Sequence, residues 1–187
     1  TYNTPQGQAS RRSQASPFTT TYVENAMKGD NTIIDILNEL LAGELTAVDQ
    51  YLIHGEMYAD MGLHALAEKT IHESEHERQH ARALIQRILF LEGTPNLAKR
   101  EPLHVGQTVP EMLQADLDVE YKVDAALKQA IAACEAAQDY VSRDMLQVQL
   151  EDTEVDHAYF LEKQLRLIKL VTLPNYLQSQ MGSGSPT

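Results

Sequence analysis

Apolar residues recur at steps of three and four along four long segments of the chain, which is the spacing of one face of an α-helix. The stripes are Ile33, Leu37, Leu40, Val48 and Tyr51 in the first segment, Leu66, Leu84, Ile88 and Leu91 in the second, Leu113, Leu117, Leu127 and Ile131 in the third, and Leu150, Leu161, Leu165 and Ile168 in the fourth. At roughly 30 residues each, the predicted helices would be about 45 Å long.

Capping signals mark most of the helix boundaries. Thr32 opens an acidic variant of the capping box, so the first helix should begin there. Gly62 and Gly93 are typical C-terminal stops for the first and second helices. Thr108 starts a capping box that is followed by an early proline, which predicts the start of the third helix. The turn near Gln138 has neither glycine nor proline and is the least defined boundary.

The segment between Gly93 and Thr108 has no helical periodicity and contains Pro102. Long loops without structure are uncommon in compact domains. Here the length allows the chain to run along the bundle before the third helix begins. The sequence therefore predicts an all-α fold, a four-helix bundle with one long crossover between helices 2 and 3. A short fifth helix should follow Pro174 and end near Gln180.

The apolar stripes are interrupted by carboxylates and imidazoles at matched positions. These residues are Glu44, Glu77, His80, Glu120, Glu154 and His157. Each glutamate belongs to a different predicted helix, and each histidine follows a glutamate by three residues, so that the two share one helix face. Burying an unpaired carboxylate is costly, so four of them require compensating cations. The pattern predicts a pair of metal ions, as in di-iron and di-manganese carboxylate bundles.

The composition of the ligand set indicates which metals and which chemistry to expect. Hard carboxylates with borderline imidazoles suit iron or manganese better than a metal that selects thiolates. The four carboxylates balance two divalent cations if both histidines are neutral. Two metals about 3.5–4 Å apart can act together on one small molecule, and for di-iron(II) that molecule is O2 or hydrogen peroxide. The sequence shows no obvious cleft for an organic substrate, which favours iron itself as the substrate.

Bulk properties exclude several classes of protein. The length of 187 residues suits one domain with a sizeable core. A net charge of -12 argues against generic nucleic-acid binding and favours attraction of cations. The single cysteine, Cys134, excludes an intramolecular disulfide and a CxxC site, and is typical of the reducing cytoplasm. No apolar run approaches the length of a membrane span. We therefore expect a cytoplasmic protein without nucleic-acid or membrane partners.

The two ends differ in composition from the rest of the chain. Thr, Ser, Gln and Pro make up half of residues 1–26, which we expect to be an appended or disordered segment, with a natural extension as the alternative. Residues 182–187 are rich in glycine and serine and resemble a linker. The predicted bundle occupies residues 27–181, and neither end is expected to carry chemistry.

Within residues 27–181 the chain resembles a bacterioferritin. The resemblance rests on Met27-Lys28-Gly29-Asp30, Gly43-Glu44-Leu45, Asp49-Gln50-Tyr51 and the segments 87–93, 139–144 and 175–178. It implies a ferritin-like four-helix bundle and a hollow shell of 24 subunits. It also implies a ferroxidase that oxidises Fe(II) and stores the ferric product as a mineral core.

The resemblance also implies roles for individual residues. Glu44 and His80 would belong to one iron environment, and Glu120 and His157 to the other. Glu77 and Glu154 would bridge the two irons. Tyr51 matches a tyrosine that lies beside the centre in this family, although its alternative role is that of an ordinary core aromatic.

One position departs from the members of the family that bind haem. They carry a methionine directly after the second glutamate ligand, and here that residue is Arg78. A guanidinium is not a soft axial ligand for haem iron, so we expect no haem from this chain alone. Some bacterioferritins contain two subunit types, which leaves open a shell mixed with a haem-binding subunit.

A second cluster of polar residues has two possible interpretations. His72, Glu73 and His76 form a second cluster, either a solvated helix face or an iron site on the inner surface of the shell. His54 and Asp116 are expected on the surface. Two other functions remain open beside iron storage. One is a di-iron oxidase or peroxidase without storage, and the other is a ferritin cage used as a structural or display scaffold.

Overall fold

The computed structural model describes residues 28–182, and the predictions for residues 1–26 and 183–187 lie outside that range. The helices are α1 (Asn31–Asp60), α2 (His64–Phe90), α3 (Val109–Ala136), α4 (Tyr140–Asp152), α5 (Tyr159–Val171) and α6 (Leu173–Gln180). A π-helical turn, Thr153–Ala158, joins α4 to α5 without a break, so that the three segments form one rod. The expected all-α bundle with a crossover and a short last helix is confirmed.

Two helix starts show how local chemistry sets the boundaries. The N-cap of α1 is Asp30, whose Oδ1 accepts the Thr32 N–H at 2.7 Å, so the cap predicted at Thr32 was two residues late. At α3 the predicted capping box is confirmed. The Thr108 hydroxyl accepts the Glu111 N–H, and the Glu111 carboxylate accepts the Thr108 N–H at 2.9 Å.

The boundary before α4 lacks glycine because another residue takes the left-handed conformation. Gln138 has φ 59°, a strained value that glycine usually provides. Asp139 then caps α4 by accepting the Ser142 N–H at 3.0 Å. Arg87 of α2 donates to the Asp139 carboxylate at 2.7 Å and fixes this turn against the bundle.

The core consists of two apolar clusters at opposite ends of the bundle. One contains the first half of α1 and the second half of α3, with Leu37 and Leu127 fully buried. The other contains the end of α1, the start of α3 and α6, with Tyr58 and Tyr176 fully buried. Most of the predicted metal-ligating residues occupy the layer between the two clusters, where helices on every side exclude water.

The crossover is fastened to α1 by a row of side chains one helical turn apart. Thr46 Oγ1 accepts the Glu101 N–H at 2.8 Å, and Gln50 Oε1 accepts the His104 N–H at 3.0 Å. One turn further, His54 Nε2 accepts the Gly106 N–H at 3.1 Å. Buried backbone groups need partners, so these bonds allow a loop without helix or strand to lie against the bundle.

The expectation that His54 and Asp116 lie on the surface was wrong. Both are buried, and His54 Nδ1 lies 2.7 Å from Asp116 Oδ1. Because Nε2 accepts a hydrogen bond, Nδ1 carries the proton and donates to the carboxylate. Gln50 also donates to Asp116, at 2.9 Å. Loop, α1 and α3 are therefore joined by one buried polar network.

The close approach of α1 to α2 depends on Gly55. A Cβ at this position would lie 2.6 Å from Ile71 Cγ1 and 3.3 Å from the Ile71 backbone nitrogen. We predict that Gly55→Ala destabilises the protein by about 1–3 kcal/mol, because overpacking displaces backbone. Urea unfolding of the metal-free protein measures this. Gly43→Ala is the matched control, since nothing lies within 4 Å of its Cβ, and it should stabilise by about 0.5–1 kcal/mol. Equal effects of the two substitutions would contradict the close approach.

Candidate metal centre

Five of the six predicted ligands meet in the polar layer at the middle of the bundle. Glu44 comes from α1, Glu77 and His80 from α2, Glu120 from α3 and His157 from the π-helical turn. Their exposed fractions lie between 1% and 6%. Charged side chains are almost never this buried unless they are paired or bind a cation.

The five side chains form two groups of potential ligands that share one member. Glu44, Glu77 and His80 have ligand atoms within 4.8 Å of one another, and so do Glu77, Glu120 and His157. In the first group His80 Nδ1 lies 3.0 Å from Glu77 Oε2 and 3.8 Å from Glu44 Oε2. We call these groups the first and the second triad.

The second triad repeats the geometry of the first on the other side of Glu77. His157 Nδ1 lies 2.6 Å from Glu77 Oε1 and 3.6 Å from Glu120 Oε2. The two oxygens of Glu77 thus face different histidines, one each. A carboxylate in this position can bind one cation with each oxygen.

Several ligand atoms lack hydrogen-bond partners among the residues that the structure describes. They include both carboxylate oxygens of Glu44. Oε1 of Glu77 and Nδ1 of His157 also make no aligned hydrogen bond, although the two atoms face each other at 2.6 Å as an ion pair. Buried polar atoms are rarely left unpaired, and each such atom calls for an explanation. Here the atoms without an aligned hydrogen bond converge from three chain segments, and carboxylate with imidazole is a donor set that iron and manganese accept. The residues therefore fit a pair of divalent cations.

The carboxylates of the centre differ in their affinity for protons. Burial and the neighbouring charge of Glu77 hold the pKa of Glu44 well above its usual value. Burial and the same neighbour raise the pKa of Glu120. Burial acts in the same direction on Glu77, but the close imidazoles of His157 and His80 outweigh it and place its pKa well below the usual value. Glu77 is therefore the ionised carboxylate at the centre of the cluster.

The histidines hold protons when no metal is present. Burial lowers the pKa of His80, but the neighbouring carboxylates of Glu44 and Glu77 prevail and raise it to about 10. The pKa of His157 is raised still further against burial, by Glu120, Glu73 and Glu77. Protons on both imidazoles therefore compensate the buried negative charge that two cations would otherwise neutralise.

A second layer of carboxylates orients the two imidazoles. His80 Nε2 lies 3.2 Å from Asp152 Oδ2, and His157 Nε2 lies 2.9 Å from Glu73 Oε2. In each ring Nε2 is directed away from the triad and Nδ1 towards it. Ligating histidines usually donate their other N–H to such a group, which fixes the ring and strengthens it as a ligand.

Glu73 and its neighbours lie directly beside the centre. Glu73 is buried, which excludes a solvated face for this residue, and its pKa is about 2 because bonds to His157 and Lys69 outweigh burial. His76 is half-buried, with Nδ1 2.9 Å from His157 Nε2. His72 is exposed, and its ring stacks on His76 at 6.3 Å between centroids. The three residues lead from the surface to the second triad.

Tyr51 lies where the resemblance implies. Its hydroxyl donates to Glu120 Oε1 within the buried layer. Burial, and next the charge of Glu120, hold the pKa of Tyr51 well above its usual value. The phenol therefore keeps its proton at neutral pH and fixes the carboxylate of Glu120.

Glu154 does not join the cluster. Its side chain is 50% exposed, and Oε1 lies 2.7 Å from Lys128 Nζ. Hydrogen bonds in a π-helix run from residue i to i+5, so the turn is wider than in an α-helix. Within the π-helical turn residues three apart no longer align, and His157 faces inward while Glu154 faces outward. The prediction that Glu154 lies on the buried face assumed α-helical spacing and is wrong for this structure. Its role as a bridging ligand stays a prediction.

Arg78 is exposed, and its guanidinium offers no soft ligand for haem iron. It follows Glu77 on α2 and points outward, with Nε 3.5 Å from Glu75 Oε2.

Asp152 is a residue that the periodicity of the sequence did not reveal, since it lies on no apolar stripe. Its one sequence signal is its position five residues before His157.

Comparison with known proteins agrees with this architecture. The family described as Ferritin-like domain matches residues 34–171. A "Bacterial ferritin" of Synechocystis sp. is 58% identical over 155 residues, which cover 83% of this chain and 99% of the relative. A "Bacterial ferritin" of Pseudomonas aeruginosa is 57% identical over 83% of this chain and all of the relative. A "Bacterioferritin" of Mycobacterium leprae is 43% identical over 76% of this chain and 89% of the relative. The chain belongs to the ferritin family and, within it, to the bacterioferritins.

Proposed function

We propose that this chain is an iron-storage ferroxidase that oxidises Fe(II) at the two triads and delivers the ferric product to a mineral store inside a multi-subunit shell. The observation that carries the proposal is the position of Glu77, whose two oxygens face His80 and His157 at 3.0 Å and 2.6 Å. A buried carboxylate shared by two ligand groups suits a dinuclear site. Ferritins bind a di-iron centre, which fits the same residues.

The chain's own residues bind and orient the iron substrate. We assign Glu44 and His80 to one iron, Glu120 and His157 to the other, and Glu77 to both. When bound, the iron pair supplies one electron from each metal to O2 or hydrogen peroxide. The centre is closed to bulk water, since all five ligands are buried. Water exclusion strengthens the electrostatic attraction between the carboxylates and the cations.

The charge balance differs from that expected from the sequence. Without Glu154, the triads contribute three carboxylates against two divalent cations. Glu73 and Asp152 add negative charge behind the imidazoles, at 2.9 Å and 3.2 Å. These two carboxylates add one negative charge more than the one attributed to Glu154, and Lys69, which pairs with Glu73, offsets it.

The surface supports assembly into a shell. Large apolar side chains are exposed along the rod of α4, the π-helical turn and α5, with Val141, Val148, Val155 and Leu170 between 60% and 80% exposed. The number of large apolar side chains exposed along this one rod favours contact with other subunits. We propose a shell of 24 copies. A mixture with a haem-binding subunit remains part of the proposal, because the Arg78 guanidinium does not ligate haem iron.

Iron must also move between the centre and the store. We propose His72, Glu73 and His76 as the path, since the ring of His76 lies 5.0 Å from His80 and 5.2 Å from His157 between centroids.

We also propose a cytoplasmic location, which is supported by the presence of a single cysteine. Within the described residues, no helix is both long enough and apolar enough to cross a membrane.

The ligand assignment predicts how substitutions change metal binding. Calorimetric titration of the metal-free protein with Zn(II), which has no redox chemistry, should show a pair of cations per chain. Glu77→Ala should weaken both sites by more than the roughly 10–100-fold typical of outer-layer changes. Glu154→Ala should bind like the unsubstituted protein, because Glu154 faces Lys128. The control is Glu75→Ala, an exposed residue of the same helix. Loss of a site in Glu154→Ala would restore Glu154 as a ligand.

Protonation of the imidazoles predicts the pH dependence. The pKa of His80 rises from 6.5 to about 10 in the metal-free protein, and a ligating imidazole must lose its proton. Zn(II) binding at neutral pH should therefore release protons, and affinity should increase as pH rises towards 10. Because the pKa of His80 is higher in the folded than in the unfolded protein, its protonation stabilises the metal-free fold. This contribution to the free energy of unfolding is complete below pH 6.5 and is lost as the pH rises to about 10. Calorimetry in buffers of different ionisation enthalpy measures the release, and the absence of release would mean neutral imidazoles.

Iron loading tests the function itself. Fe(II) is added in air to the metal-free protein, and iron is assayed in the shell peak of a size-exclusion column. We expect retained iron to rise with each addition, far beyond the capacity of the triads. Glu77→Ala should assemble but lose rapid oxidation of Fe(II), because both irons lose a ligand. Glu75→Ala should assemble and oxidise Fe(II) at the rate of the unsubstituted protein. A plateau at the capacity of the triads would favour a di-iron oxidase without storage.

A further inference from the structure

Gly43 lies in the middle of α1 without any of the usual reasons for glycine. Glycine in a helix costs about 0.5–1 kcal/mol relative to alanine. Its backbone is not in the left-handed region. Among the described residues, the glycines with positive φ are Gly62 and Gly182. No close approach requires it either, since nothing lies within 4 Å of a Cβ built on Gly43. The missing side chain leaves open space beside the residue that precedes Glu44.

That space belongs to a partly enclosed cavity of about 60 Å³ between α1, α3 and the crossover. Its apolar lining consists of Leu40, Gly43, Pro102, Val119, Val123 and Ala126. Charged side chains that line it, Glu39, Glu101 and Lys122, are exposed and therefore lie at its mouth. Leu40 and Val123 are buried and form its inner end.

The cavity is built into the fold, because its roof is fastened at two points. Thr46, a buried lining residue, accepts the Glu101 N–H at 2.8 Å and donates to the Ala42 carbonyl at 2.7 Å. Gln50 accepts the His104 N–H at 3.0 Å. The crossover therefore cannot collapse onto α1 without breaking hydrogen bonds of buried groups.

The cavity adjoins the helical turns that carry two of the proposed ligands. Gly43 directly precedes Glu44, and Val119 directly precedes Glu120. Leu40 and Val123 lie one turn from the same two carboxylates along α1 and α3. Each of these glutamates belongs to one triad only. The apolar end of the cavity is thus lined by residues one position or one helical turn from Glu44 of the first triad and Glu120 of the second.

We propose that this cavity binds a small apolar gas, dioxygen, and holds it next to the metal centre. One water molecule needs a cavity of about 10–15 Å³, and apolar cavities bind apolar molecules in preference to water. At about 60 Å³ there is room for a diatomic molecule. The apolar inner end favours O2 over hydrogen peroxide, whose hydroxyls would need hydrogen-bond partners. The assignment of O2 rests on the proposed ferroxidase function.

The first test detects gas binding without any reaction. Crystals of the metal-free protein are pressurised with xenon, an apolar atom that scatters anomalously. We expect a xenon peak between Gly43 and Val123, and no peak in Gly43→Leu, whose side chain enters the cavity. Gly43→Ala, which gains helix propensity, carries the test if the leucine variant does not fold. An empty cavity in the unsubstituted protein overturns the proposal.

The second test measures how Fe(II) oxidation depends on oxygen concentration. In Gly43→Leu we expect a several-fold higher KM for O2, with an unchanged rate at saturating O2 and an unchanged rate with hydrogen peroxide. The control is Ala132→Leu, which adds the same side chain at an exposed position of α3. An unchanged KM in a variant with a filled cavity overturns the role in oxygen delivery. If the unsubstituted protein oxidises no Fe(II), the ferroxidase proposal fails, and xenon occupancy alone decides whether the cavity binds gas.

Discussion

The structure depends on one buried carboxylate, Glu77, placed between two imidazoles. Its oxygens face His80 and His157 from opposite sides, and the side chain is 2% exposed. An ionised carboxylate in the middle of a helix bundle is tolerated only with compensating positive charge. Four chain segments must therefore bring their polar side chains to the same level of the bundle. The two apolar clusters lie above and below this level and supply the stability that the polar layer does not.

The same centre has two ways to balance its charge. With no metal, protons on His80 and His157 neutralise part of it, and burial keeps Glu44 and Glu120 inclined to hold protons as well. With metal, the cations replace these protons. In the metal-free protein the outer carboxylates Glu73 and Asp152 already hold the two rings with Nδ1 towards the triads.

Most of the fold could be predicted from the sequence, because it follows from short-range chemistry. Apolar residues at helical spacing gave the helices, and the capping box at Thr108 gave the start of α3 to the residue. The cap at Asp30 was placed two residues late, since Thr32 has a similar local pattern. Five of the six stripe positions that carry Glu or His meet in the structure, because one polar residue on an apolar face has to be buried with others.

The remaining features depend on information that periodicity lacks. Glu154 was misplaced because a π-helical turn changes the alignment of residues three apart, and no α-helical pattern can reveal it. His54 and Asp116 were expected on the surface, because the sequence does not reveal that a residue of α1 and a residue of α3 pair with each other in the core. Asp152 acts through His80, and a residue that acts through another leaves no stripe of its own. The errors at His54, Asp116 and Asp152 concern contacts between elements, whereas the error at Glu154 comes from a π-helical turn within one element.

Anomalous diffraction from crystals soaked in Zn(II) tests the central claim most directly, because it locates cations independently of any reaction. The account predicts two peaks about 3.5–4 Å apart, each beside one oxygen of Glu77, with His80 at one peak and His157 at the other. Glu154 should still face Lys128. A single peak, or a pair of peaks that Glu77 does not bridge, would contradict the shared carboxylate on which the assignment depends.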